Sequence, residues 1–266
     1  MPSDFQLLLF SVDPKLIPQA VAAGVKGVLV DWESIGKRER QASADTEINR
    51  ATPEDLAKVR ACTEALVICR LNRYDESRKE EIELALRRGA DEILLPMVQT
   101  AEEVEKAIEQ VNGRSRLGIL VETVPALRHL KRLAELPLSR VYVGLNDLAI
   151  ERKSPQLFAP LLDGILEEIR GAFYTPFGFG GLTLPHLGVP VPCRLLLGEM
   201  ARLDCQFTFL RRSFYRDTRP ERWPSQIPSI LEAFEQARRR SADQIEQDRT
   251  ELRQAIQSCL ENPSPL

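Results

Sequence analysis

Histidine is nearly absent from this chain. Two residues in 266, His129 and His186, leave little material for a histidine-built metal centre. The five cysteines (Cys62, Cys69, Cys193, Cys205, Cys259) are odd in number, widely scattered and never in a C-x-x-C pair. That argues against a disulfide framework or structural zinc and leaves them as small core hydrophobes. Neither sign of charge is in clear excess: 36 Lys and Arg stand against 39 Asp and Glu, a net of −3. Nothing draws in nucleic acid or anionic lipid, and neither is expected as a partner. No stretch of 18 consecutive apolar residues occurs, and MPSDFQLLLF lacks the basic segment and long apolar run of an export signal. A soluble, cytoplasmic protein with no membrane partner is expected. Aromatic residues are scarce at 6%, but apolar residues reach 43%, enough for one large core.

What is present is an alternation of short apolar runs with helical patterns. The strand-like runs are Phe5 to Val12, Gly27 to Asp31, Ala65 to Cys69, Glu92 to Met97, Gly118 to Val121, Arg140 to Gly144, Phe177 to Gly180 and Phe207 to Leu210. Helices are expected between them: Lys15 to Gly24, one opened by Thr52-Pro53-Glu54-Asp55, Ser77 to Ala90, Ala101 to Val111, Ala126 to Leu136, Gln156 to Ala172 and Cys193 to Leu203. Runs such as VLV and EILL show no polar alternation, which suits a parallel sheet covered on both faces. Eight such units predict a single α/β domain over residues 1–266, a (β/α)8 TIM barrel. An open doubly wound sheet is the rival, but the first strand is followed by SVDPK rather than G-x-G-x-x-G. From Pro228 to about residue 262 the pattern extends into a long C-terminal helix. It reads equally as a solvated extension or as an arm exchanged between subunits.

Barrel enzymes build their sites from the C-terminal ends of the strands. Those ends carry Asp31 and Glu33, Arg70 and Asn72, Gln99, Glu122, Asn146 and Asp147, Gly180 and Gly181, and Arg211 and Arg212. Four carboxylates gathered at one mouth do not all stay ionised without a cation, and a hard divalent ion held by two of them suits magnesium better than zinc. Acidic residues at these positions also cap the helices that begin there.

The ordered set D-x-E (Asp31, Glu33), R-x-N (Arg70, Asn72), LLPMVQTAEEVE (Leu94 to Glu105), VET (Val121 to Thr123) and VGLNDLA (Val143 to Ala149) resembles the HpcH/HpaI aldolase and citrate lyase β-subunit family. The resemblance covers roughly residues 20 to 215. It implies a barrel-shaped, metal-dependent carbon–carbon lyase acting on α-keto acids or acyl-CoA thioesters. It implies Glu122 and Asp147 as ligands of Mg2+ or Mn2+, Arg70 as the group on the keto or enolate oxygen, and Gln99 near the metal and its waters. Backbone N–H groups around Asn146-Asp147 and Gly180-Gly181 would hold the substrate carboxylate. The expected reaction is cleavage or formation of 4-hydroxy-2-keto acids through a pyruvate-type enolate, with a small α-keto acid and an aldehyde as partners. The resemblance also implies a homo-oligomer, a trimer or hexamer.

One departure matters. The family has a histidine or an aspartate directly after D-x-E, where this chain has Ser34, a poor general base at neutral pH. Glu33 is then the leading acid/base candidate, Asp31 an orienting group, and His186 a possible source of the missing imidazole. Two alternatives stay open. One is a CoA-thioester lyase of the malyl or citramalyl type, for which the basic loop Lys37 to Arg40 could bind phosphate. The other is a non-catalytic keto-acid-binding barrel.

Overall fold

The computed structural model of the chain describes residues 4–35, 51–154 and 156–261. Eight strands run in the expected order: β1 (Gln6–Phe10), β2 (Gly27–Asp31), β3 (Leu66–Arg70), β4 (Glu92–Leu95), β5 (Arg116–Val121), β6 (Val141–Val143), β7 (Phe177–Phe179) and β8 (Phe207–Leu210). They form one sheet in the order β7-β6-β5-β4-β3-β2-β1-β8, with every pairing parallel. The two end strands meet. The Gln206 N–H donates to the Phe177 carbonyl at 2.9 Å, and the Thr208 hydroxyl to the Phe179 carbonyl at 2.6 Å. Gly178 permits this seam, because a Cβ there would run into the Phe207 carbonyl oxygen. The result is a nearly closed (β/α)8 barrel.

Period-two alternation sorts the strand residues into two cores. Leu8, Phe10, Leu29, Ile68, Leu94, Leu120, Tyr142, Phe207 and Phe209 form one buried cluster made of strand residues alone, which is the barrel interior. Their neighbours, including Leu7, Leu9, Val28, Val30, Val67, Ile93, Val121 and Val143, belong to a larger cluster shared with the helices. Both faces of each strand are therefore apolar, as the uninterrupted runs predict.

The surrounding helices are α1 (Leu16–Ala22), α2 (Pro53–Cys62), α3 (Lys79–Arg87), α4 (Ala101–Val111), α5 (Val124–Arg128), α6 (Leu130–Ala134), α7 (Leu145–Glu151), α8 (Ile165–Ala172), α9 (Cys193–Arg202), α10 (Arg212–Asp217), α11 (Trp223–Arg238) and α12 (Ala242–Glu261). Thr52 and Thr100 begin α2 and α4 with complete capping boxes. Cys69, Cys193 and Cys205 are buried and all five cysteines are free. Burial pushes the Cys193 thiol up to about 12, which makes it packing material rather than a nucleophile.

Four expectations change. The helix read from Ala126 to Leu136 is two short ones, α5 and α6, separated at His129. The helix read from Gln156 begins only at Ile165, after Gly164 adopts a left-handed conformation at φ 86°. The VGLNDLA segment, read as a strand end, already turns into α7 at Leu145. The long C-terminal helix is two helices, because Ser241 and Gln244 form reciprocal backbone–side-chain hydrogen bonds that start a new helix. Leu252 and Ile256 of α12 are buried. Arg194 of α9 donates to Asp248 at 3.1 Å, and Arg240 to the Gly198 carbonyl at 2.7 Å. Within this chain, α12 thus lies against its own barrel. Among the described residues no helix is long and apolar enough to cross a membrane.

Candidate active site at the barrel mouth

In four strands the inward alternation, carried one step beyond the interior cluster, changes from apolar to charged. Leu29 is followed by Asp31, Ile68 by Arg70, Leu120 by Glu122 and Phe209 by Arg211. Asp31 and Arg70 are register partners across β2 and β3. Arg70 grips Asp31 with two parallel bonds, Nε to Oδ1 at 2.8 Å and Nη2 to Oδ2 at 2.7 Å. Its remaining Nη1 lies 3.2 Å from Glu33 Oε2. The Glu33 N–H also donates to Asp31 Oδ1 at 3.2 Å. All three side chains are buried. Burial works against the charge on Arg70, but Asp31 and Glu33 outweigh it and hold its pKa above the ordinary arginine value. Arg211 joins the same group, with Nη2 3.6 Å from Asp31 Oδ2. The two guanidinium carbons lie over one ring, Phe10, at 5.4 Å for Arg70 and 4.8 Å for Arg211.

On the far side of the mouth, Glu122 is buried at the end of β5 and accepts the Met97 N–H at 2.8 Å. Met97 reaches it because β4 stops at Leu95. Pro96 has no N–H for the ladder, and Met97 turns to a left-handed φ of 52°. Gly144 leaves the room Glu122 needs, since a Cβ there would collide with its carboxylate. Asp147 lies half-buried in the first turn of α7. Burial, then Asp147 and Glu33, push the Glu122 pKa up to about 8, with Arg70 and the Met97 N–H pulling the other way. A carboxylate in that position gains from a nearby cation. The donors are hard oxygens with no histidine among them. Among the described residues no group of three or more His, Cys, Asp or Glu is arranged around one metal point. A divalent ion at this point would engage Glu122 and Asp147 and take the rest of its shell from water and substrate oxygens.

The other expected site residues fall in different places. Asn146 is half-buried beside Asp147. Gly180 lies against the Tyr142 hydroxyl, and Gly181 is exposed with φ at 116°. Gln99 Oε1 accepts from Arg73 Nη2, on the segment after β3, at 2.7 Å. His186 is exposed on the segment after β7. Ser34 is exposed. Of the two arginines ending β8, Arg211 enters the mouth while Arg212 is exposed at the start of α10. The basic loop Lys37 to Arg40 lies outside the described residues.

One residue escaped the reading of strand ends. Tyr142 sits inside the barrel within the fields of Arg211, Arg70 and Glu122, and burial pushes its phenol well above the ordinary value. Its signal is the pattern VYV, where the central residue is the inward one. Asn72, read at the end of β3 without a role, binds the loop carrying Glu33 through its side chain.

A sequence model of the HpcH/HpaI aldolase/citrate lyase family matches residues 5–156. No curated protein matches the chain. Among solved structures, an HpcH/Hpal aldolase/citrate lyase family protein from Burkholderia cenocepacia J2315 is similar at 13% identity and TM-score 0.61, over 89% of this chain and 95% of the other. An HpcH/HpaI aldolase from Desulfitobacterium hafniense DCB-2 is similar at 13% identity and TM-score 0.58, over 78% and 85%. Citrate Synthase SbnG is similar at 19% identity and TM-score 0.55, over 88% and 94%. At these identities the solved structures speak to the fold.

Proposed function

The chain belongs to the HpcH/HpaI aldolase/citrate lyase family, and on that premise we propose that it is a divalent-metal-dependent carbon–carbon lyase of the class II aldolase type. Its substrates in this reading are 4-hydroxy-2-keto acids, cleaved or formed through a pyruvate-type enolate. The observation that carries it is Glu122, a buried carboxylate raised to about 8 beside Asp147 and Glu33, with Arg70 facing it across the mouth.

Glu122 and Asp147 would hold Mg2+ or Mn2+, which when bound supplies Lewis-acid stabilisation for the charge developing on the enolate. Arg70 supplies a fixed guanidinium. Its bonds to Asp31 and its ion pair with Glu33 set its orientation before substrate arrives, so none of that ordering cost falls on the reaction. Backbone N–H groups around Asn146-Asp147 and Gly180-Gly181 hold the substrate carboxylate. Glu33 moves the proton, directly or through a water. Asp31, already gripped by Arg70 and beside Arg211, keeps to orientation. His186 stands on the rim as the second candidate for proton transfer.

The test is pyruvate release from a panel of 4-hydroxy-2-keto acids, using EDTA-stripped protein with Mg2+ or Mn2+ restored, beside Glu122→Ala and Arg70→Ala. Release that needs metal and is abolished by both substitutions is expected. Release that persists in EDTA or in Glu122→Ala overturns the metal-dependent reading. With no release from any panel member, malyl-CoA cleavage becomes the next assay. The exposed Ser34 after Glu33 favours a keto-acid-binding barrel without turnover if that assay also fails.

A further inference from the structure

Glu33 owes its position to the two residues that follow it as well as to its own ion pair. The N–H groups of Ser34 and Ile35 both donate to Asn72 Oδ1, each at 2.9 Å. One carbonyl oxygen thus pins the turn leaving the mouth just after Glu33. A side-chain amide in such a place has two orientations, related by exchange of its O and N atoms, and only one of them accepts from two N–H groups.

Glu81 removes the choice. Its two carboxylate oxygens accept from Asn72 Nδ2 at 3.0 and 3.2 Å, and its Oε2 also accepts the Asn72 backbone N–H at 3.2 Å. A carboxylate only accepts, so Nδ2 faces Glu81 and Oδ1 is left to face Ser34 and Ile35. Glu81 is itself set in the first turns of α3, a helix fastened to the core by the buried Ile82 and Ala85. Asn72 is buried, so water does not compete strongly for these bonds.

We infer that Glu81 is a positioning residue for Glu33: by fixing the Asn72 amide it holds the backbone at 34–35, and so the Glu33 carboxylate, against Arg70. Its effect is on the proton-transfer step, in which a C3–H bond of the keto acid breaks, its electron pair forms the enolate double bond and the proton passes to the Glu33 carboxylate. The inference rests on the reading of Glu33 as the acid/base. Glu81 touches none of the reacting atoms and acts through Asn72.

The experiment compares four proteins: wild type, Glu81→Gln, Asn72→Asp and the double variant. Each is loaded with Mg2+ and given pyruvate in D2O. Deuterium uptake at the pyruvate methyl group, followed by NMR, reads proton transfer without any aldehyde acceptor. Amide hydrogen exchange at Ser34 and Ile35 reads the loop independently of activity. In Glu81→Gln the new amide both donates and accepts, so either orientation of Asn72 is satisfied. The exchange kcat should fall by about ten- to a hundredfold, the scale expected for a misplaced catalytic group. The pyruvate KM, set by Arg70 and the metal site, should not move. Asn72→Asp should lose at least as much, because two carboxylates then face each other. The double variant should regain most of the loss, since the new carboxylate at 72 accepts from Ser34 and Ile35 while the new amide at 81 donates to it. Protection of the two amides should follow the same order.

A wild-type kcat in Glu81→Gln overturns the inference, as does a parallel rise in KM or a double variant no better than the singles. Failure of the wild type to exchange the pyruvate proton defeats the acid/base reading of Glu33 instead, and the catalytic half of the inference falls with it. The amide arm then still decides whether Glu81 sets the loop.

Discussion

The barrel buries an arginine against a carboxylate and over a phenylalanine at both of its ends. At the N-terminal end Arg140 lies 4.8 Å from the Phe207 ring centroid and donates to Glu92 Oε1 at 2.5 Å, and the Ser139 hydroxyl donates to the same oxygen at 2.8 Å. At the C-terminal end Arg70 lies over Phe10 and grips Asp31. The parts are alike and the charge balance is not. The floor pairs one cation with one carboxylate. The mouth gathers Asp31, Glu33, Glu122 and Asp147 around Arg70 and Arg211, an acidic excess whose strain concentrates on Glu122. A balanced buried pair holds strands together, while an unbalanced one is poised to take a cation, which is the division of labour between the two ends of such barrels.

The largest expected effect is at the floor. Arg140→Ala leaves Glu92 buried without its cation and should cost about 3–5 kcal/mol, lowering the melting temperature by roughly 10 °C in a domain of this size. Glu92→Leu combined with Arg140→Met should recover most of that, and both proteins should keep their turnover per folded molecule at 25 °C. Loss of turnover in the well-folded double variant would break the comparison.

The mouth should behave in the opposite sense. Glu122→Gln should abolish metal-dependent turnover yet raise the melting temperature of the metal-free protein. The sign follows from a folded-state pKa of about 8 against an ordinary 4.5. Between those values the unfolded chain releases the proton while the folded protein keeps it, so rising pH destabilises the wild type, and above pH 8 the full penalty is present. The advantage of the variant should therefore grow from pH 4.5 to 8 and then level off at a few kcal/mol. Thermal unfolding across that pH range checks it, and a pH-independent difference would count against an ionisable Glu122. Metal binding sharpens the same point. The ion must displace that proton, so apparent Mg2+ affinity measured by calorimetry should fall about tenfold per pH unit below 8.

The smallest effect is expected at Arg211. Asp31 keeps both of its bonds to Arg70, and the Arg211 side chain is 27% exposed. Arg211→Gln should then change stability by no more than about 1 kcal/mol. A loss as large as that at Arg140 would mean that the mouth, too, is built to hold the barrel together.

Much of this was legible before folding. The apolar runs and their spacing place all eight strands, because a strand buried on both faces must be apolar at every position. Asp31, Arg70 and Glu122 stand where those runs end, so the change of residue type marks the mouth. The errors have local causes. Ser241 and Gln244 start a new helix inside what reads as one, and Gly164 delays α8 through a backbone conformation that composition does not reveal. Gln99 and His186 both follow a strand end; folding gives Gln99 a bond to Arg73 and leaves His186 exposed.

The sequence alone determines the barrel and the acidic character of its mouth, since both depend on residue type and order along the chain. Only the tertiary structure decides which charges meet. Asp31 and Arg70 are 39 positions apart and become partners through the register of β2 and β3. Glu122 reaches its raised pKa only because folding removes water from it and brings Asp147 and Glu33 close to it. Coulomb interactions and desolvation depend on distance and burial, and neither quantity exists until the strands close into a barrel.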